Sequence, residues 1–298
     1  MKIINIGLIV LTALSLGLQS CQKKGLEDGR YPILFDCKEP DTKAITTIDN
    51  VKSDGFVVRA DYSIGENSFY FEQTVNYNNE KDLWAYNTIE YWWPGGTYVF
   101  NAVYPKPNSE TPEFNLSFSD GSYKIADYDV RSQIDILGTT VNREVPVNMD
   151  APAEGNIVNL DFKHLLSLVS IQIKAEVKVT VRDVSLNMVP VIAKYQNGIW
   201  DTDSQGNIVK NANMSFAVND NKDVTDGGFL VIPGHVDGYR IKITTSDKDY
   251  DIEIPVINWT AGTKYTYTLI IKQNDILFDE PSVEEWDEEN AVGSVIIK

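Results

Sequence analysis

Two cysteines, two histidines and four methionines among 298 residues leave little for thiol, imidazole or thioether chemistry. So few cysteines exclude a disulfide scaffold and a cysteine-rich zinc site. The histidines, His164 and His235, lie in separate stretches, with no serine or cysteine in a nucleophile elbow beside either. The chain also lacks G-x-S-x-G, HExxH and a phosphate-binding glycine loop, so it reads as a non-enzyme with no catalytic residue, no cofactor and no metal site. Positive charge is scarce. Lys+Arg number 26 against 43 Asp+Glu, a net charge of −17 that phosphate would repel, so no nucleic-acid partner is expected. What the chain does have is 43% hydrophobic and 11% aromatic residues, enough for a packed core and far from a disordered composition. At roughly 100–200 residues per domain, its length suggests two domains.

Residues 1–20 stand apart. Lys2 is their only charge, and Ile3 to Leu18 is almost wholly apolar, the pattern of an export signal. Beyond them no run approaches the ~20 apolar residues of a spanning helix. The segment ends in Leu18-Gln19-Ser20-Cys21. This resembles a bacterial lipobox, which implies cleavage between Ser20 and Cys21 and acylation of Cys21, with the outer membrane as partner of the anchored chain. Loss of Lys2 with the signal takes the net charge to −18. Acylation also leaves Cys37, in the strand-like run Tyr31–Cys37, as a lone thiol expected to be buried and inert. Residues 21–30 are polar and read as a tether.

Period-two alternation dominates the rest. Tyr239, Ile241 and Ile243 alternate with Arg240, Lys242 and Thr244, and Tyr250, Ile252 and Ile254 alternate with acids. A two-residue turn at Asp247-Lys248 would pair Ile243 with Ile252 and Lys242 with Glu253. Val177, Val179 and Val181 share one face, whereas Val184, Leu186 and Met188 take the other parity, which predicts a β-bulge at Arg182-Asp183. Strands are also expected at 55–62, 68–74, 97–104, 156–162, 168–175, 229–233 and 264–272. No window sustains a helical period, and Phe162–Leu166 would form a turn or two at most. Many short strands separated by glycine turns predict an all-β protein built of sandwiches. A stretch at 149–156, with Pro152 and Gly155 and no alternation, divides the chain into 31–148 and 157–298.

Other motifs carry less. Tyr91-Trp92-Trp93-Pro94-Gly95-Gly96 offers Trp92 and Trp93 as candidate glycan contacts, or as core and edge cover. Asp201-Thr202-Asp203-Ser204-Gln205-Gly206 resembles half of a calcium loop, but position twelve is Ala212 rather than Glu, so a solvated hairpin loop is expected. Residues 279–289 hold seven acids and Trp286, an exposed connector. The apolar tail after them, with Val292, Val295, Ile296 and Ile297, is either the last strand of its own sheet or a strand offered to a neighbour.

Three segments, in order along the chain, resemble the fimbrillins. They are Trp92-Trp93-Pro94 with Tyr98-Val99-Phe100-Asn101-Ala102-Val103-Tyr104-Pro105, then Leu160-Asp161-Phe162-Lys163-His164-Leu165-Leu166-Ser167, then Gly262-Thr263-Lys264-Tyr265-Thr266-Tyr267-Thr268-Leu269. The resemblance implies a lipoprotein of type V pili of Gram-negative anaerobes, with two tandem transthyretin-like Greek-key β-sandwich domains. It implies a structural or accessory subunit that supports adhesion; the alternative is a stand-alone surface lipoprotein or tip adhesin that binds a host glycan or protein. It also implies removal of the lipidated first strand, here Tyr31–Cys37, by a protease. A strand from another fimbrillin subunit, or from a second copy, then fills the groove. Lys43 in Thr42-Lys43-Ala44 stands where the family often has arginine, and is the candidate maturation site. Head-to-tail addition of this kind gives an open filament.

Overall fold

The computed structural model describes residues 30–37, 46–107, 114–119, 121–273, 275–279, 281–285 and 293–294. The chain is mostly β, in several largely antiparallel sheets, with one short α-helix among the described residues. The expected strands all appear within a few residues of their places. One antiparallel sheet runs Lys163–His164, Leu137–Val145, Gly96–Tyr104, Phe56–Ile64, Asn67–Asn78, Leu83–Ala85. Its inner face is aromatic because Phe56, Tyr62, Tyr98 and Phe100 fall on buried parities of their strands. A short parallel pair, Leu34–Cys37 with Ile157–Leu160, covers that face.

The larger core lies between two other sheets. In one, Ser167–Ala175 and Thr263–Ile271 pair in parallel at the centre. The first of these is buried on both faces as far as Ile171, so its apolar residues do not alternate with exposed ones. In the other, Val179–Gln196 pairs along its whole length with Ile199–Phe216. Its opposite side is shared by Arg240–Thr245 and then Ser122–Asp129.

The bulge expected at Arg182-Asp183 is present. The register shifts between Val181 and Asp183 against both neighbouring strands, so Val179, Val181, Val184 and Leu186 are all buried despite their change of parity. Met188 departs from the expected face. A second shift between Asn187 and Val189 places it at φ +62° and turns its side chain outwards. The hairpin of Arg240–Thr245 with Asp249–Glu253 forms in a register two residues away from the expected one. Ile243 faces Tyr250, Ile241 faces Ile252, and Lys242 faces Asp251. A slip of two keeps every side chain on its face, so hydrophobic alternation cannot detect it. The turn decides it. The Thr245 hydroxyl donates to the Lys248 carbonyl (2.7 Å) and accepts from the Asp247 and Lys248 N–H groups (3.3 and 3.1 Å), fixing Ser246-Asp247 as the central residues.

Two further expectations are corrected. The helix Ile48–Asp54 buries only Val51, so seven residues leave no helical period to read. It starts where the Asn50 side chain accepts the Thr47 N–H (2.9 Å), and it stops at Gly55, whose φ of +73° suits glycine. Asp201–Gly206 is not a loop but part of Ile199–Phe216. The turn is Asn197-Gly198, with both residues at positive φ, and Asp201 and Asp203 lie 3.1 and 3.6 Å from the Lys194 ammonium. No cluster of three potential metal ligands occurs among the described residues.

Residues 149–156 are turns and bends. Core membership crosses them. Phe114, Tyr123, Ile125 and Tyr128 pack in the larger core with the second half of the chain, and Val158, Leu160 and Phe162 pack in the smaller core with the first. Replacing Thr245 by valine, which keeps the branched shape but removes the hydroxyl, is expected to destabilise the chain by about 1–3 kcal/mol, read as a shift in the urea midpoint.

Candidate functional site

The first strand, Leu34–Cys37, reaches its place from far away in sequence. It pairs in parallel with Ile157–Leu160, Leu34 opposite Ile157 and Phe35 opposite Val158. On its other side Pro32 bridges Tyr91. The Ile33 N–H donates to the Glu90 carbonyl (2.9 Å), the Trp92 N–H donates to the Tyr31 carbonyl (3.0 Å), and the Leu34 N–H donates to the Asn156 carbonyl (3.0 Å). Side chains complete the seat. The Tyr86 hydroxyl donates to the Ile33 carbonyl at 2.6 Å, and burial pushes that phenol up to about 12. The Asn156 amide donates to the Pro32 carbonyl at 3.4 Å.

Period two then sorts the strand. Ile33 and Phe35 are buried, while Leu34 and Asp36 are exposed. The Phe35 ring meets Phe56, Tyr86 and Phe100 edge to face at 5.6–6.4 Å. Each of these two side chains is worth about 1.5–3 kcal/mol in burial. On the outer face cavities of about 750 and 460 Å³ flank the strand, with Leu34 lining both. Cys37, half-buried at its end, has its thiol pushed well above the usual range, first by burial and then by the Asp36 carboxylate. This agrees with an inert thiol.

The tryptophan pair splits. Trp92 is fully buried, its ring against Tyr98 and Phe100 and its indole N–H donating to the Asn156 carbonyl at 3.3 Å. As a glycan contact Trp92 is therefore corrected to a core residue that backs the first-strand seat. Trp93 is 52% exposed. It lines an aromatic cavity of about 550 Å³ with Tyr62, Phe69, Tyr70, Tyr91 and Tyr98.

The histidines do not meet in one site. His164 is buried with its Nδ1 2.8 Å from Asp135 Oδ2, whereas His235 is exposed and its Nδ1 lies 2.9 Å from Asn258 Oδ1. At the other terminus Gly293–Ser294 pairs antiparallel with Ser282–Glu285. Ser20, Cys21, Lys43, Trp286, Val292, Val295, Ile296 and Ile297 lie outside the described residues. Sequence reasoning missed Tyr86, Glu90 and Asn156 as the seat's polar partners. Two of these contacts use backbone carbonyls, which leave no residue-type signal.

Against known proteins, the fimbrillin-like family matches residues 42–286, and the chain belongs to it. That family comprises fimbrial and cell adhesion proteins of the cell surface, which associate with other pilus subunits and are structural rather than enzymatic. No curated protein sequence matches the chain. A fimbrial protein from Bacteroides vulgatus is similar in fold at 18% identity and TM-score 0.63, covering 86% of this chain and 99% of that one. A candidate cell adhesion protein from Bacteroides uniformis gives 17% and 0.57, covering 88% and 99%. One from Bacteroides ovatus gives 14% and 0.55, covering 87% and 98%.

Truncating Phe35 to alanine is expected to cost about 3–5 kcal/mol in urea unfolding and to speed proteolysis ahead of residue 46. Cys37 should resist iodoacetamide in the native chain at pH 8 and react once the chain is unfolded in guanidinium, as read by intact mass.

Proposed function

We propose that this chain is an exported lipoprotein, cleaved after Ser20 and acylated on Cys21, that serves at the outer membrane or in a fimbrium as a subunit or accessory component assembling by β-strand addition. Its two cores correspond in this reading to two transthyretin-like Greek-key sandwiches, joined near 149–156. The first strand is a removable plug, and Lys43, which follows it in sequence, is the place where a protease frees it. The vacated groove then takes a strand from a neighbouring subunit or a second copy, with Val292, Val295, Ile296 and Ile297 as donor residues.

The observation that carries this reading is the seat of the first strand. Backbone groups on both sides and two buried side chains hold a segment that reaches its place from the far N-terminal end of the described chain and pairs with no strand of the aromatic sheet. An emptied seat would offer unpaired backbone groups and open aromatic core, which an incoming alternating strand satisfies together. Adhesion through glycan would rest on Trp93 and not on Trp92.

Deleting Val292–Lys298 tests the reading. The protease-matured full-length protein should form SDS-resistant ladders, and the deleted one should remain monomeric with unchanged circular dichroism. Ladders that persist after the deletion would remove the tail as donor. Absence of ladders from the intact protein under every processing condition would remove strand addition itself.

A further inference from the structure

The aromatic cavity beside Trp93 is separate in role from the first-strand seat. Its buried floor is Ala60, Tyr62 and Tyr98, and its exposed rim is Phe69 and Trp93. Phe69 is 64% exposed, high for an aromatic, with its ring stacked on Tyr62. The wall offers few free polar atoms. The Tyr62 hydroxyl donates to the Pro94 carbonyl (3.2 Å), and the Tyr98 hydroxyl accepts the Trp93 N–H (3.0 Å). Glu90 is the one charged residue in the lining. A sugar or a peptide backbone would find few partners there, whereas a hydrocarbon needs none.

The polar tether ends at this rim. Arg30, its last residue, holds its guanidinium 5.0 Å from the ring centroids of both Tyr91 and Trp93. Cys21 lies nine residues earlier, a span of at most ~30 Å even when extended. An acyl chain carried on Cys21 is thereby tethered next to an open apolar cavity of a size typical for small-molecule sites.

We infer that this cavity shelters an acyl chain of the protein's own Cys21 whenever the chain is outside a bilayer. The inference rests on acylation of Cys21. Residues 67–75 have no strand on their outer side among the described residues, so a strand from another chain is the competing occupant.

The experiment uses the full-length chain made in a Gram-negative host, with p-benzoylphenylalanine in place of Phe69 or, in a second preparation, of Ile64. Protein moved from detergent into buffer is irradiated with and without phosphatidylethanolamine–phosphatidylglycerol vesicles, then digested for mass spectrometry. The expected result is a crosslink within one monomer from either label to the acylated Cys21 peptide, lost when vesicles take up the acyl chain. An acylated Cys21 peptide with no such crosslink, or with the label joined to a second copy or to phospholipid, overturns the inference and leaves the lipoprotein reading standing. A Cys21 peptide without acyl mass overturns both.

Discussion

The smaller core depends on one non-local placement, the insertion of the first strand between Ile157–Leu160 and residues 90–92, which sets Ile33 and Phe35 against the aromatic face of a sheet. Phe56, Tyr86 and Phe100 all turn their edges or faces to Phe35. Without that ring they would face solvent or one another across a void. The pairing joins chain segments more than a hundred residues apart, so the smaller core cannot close until the chain has reached Leu160.

The two cores are therefore tied in both directions. The hairpin of Asn115–Ser119 with Ser122–Asp129 leaves the first half of the chain to join the sheet of Val179–Gln196. Ile157–Leu160 leaves the second half to cover the first. Between these crossings Lys163–His164 pairs with Gly138 and Leu137, the Leu165 N–H donates to the Ile136 carbonyl (2.9 Å), and His164 sits buried beside Asp135. Removing either of that pair would strip this contact from a group that stays buried, so the crossing is sensitive to substitution.

Alternation made the strands and the Arg182-Asp183 bulge legible, because each needs only a buried parity and its interruption. It could not distinguish registers two residues apart, and the hydroxyl of Thr245 rather than any hydrophobic residue made that choice. Nor could it find a helix with one buried residue. The pair Trp92-Trp93 shows a finer limit. The two lie ahead of the strand Gly96–Tyr104, where no alternation says which faces inwards, and the burial of Trp92 depends on Tyr98, Phe100 and Asn156 in the folded chain. The runs Tyr31–Cys37 and 156–162 were both legible as strands, whereas their parallel pairing was not. Parallel pairing needs a long connection and leaves no turn signal between the two strands.

The first strand's hold is strong when covalent and marginal when cut. Burying Ile33 and Phe35 is worth roughly 3–6 kcal/mol together. Each net hydrogen bond to Glu90, Asn156 and Tyr86 adds ~0.5–1.5 kcal/mol. While the strand is part of the chain, these gains oppose only the ordering of a short segment. Once a cut separates it, the same contacts must also meet the loss of translational and rotational freedom, about 4–15 kcal/mol for a free partner. The two sides are then comparable. On the strand-addition mechanism we propose, a segment with this seat is held in the intact chain and exchangeable after cleavage, and a longer strand that repeats its inward-facing pattern and extends its backbone pairing would displace it.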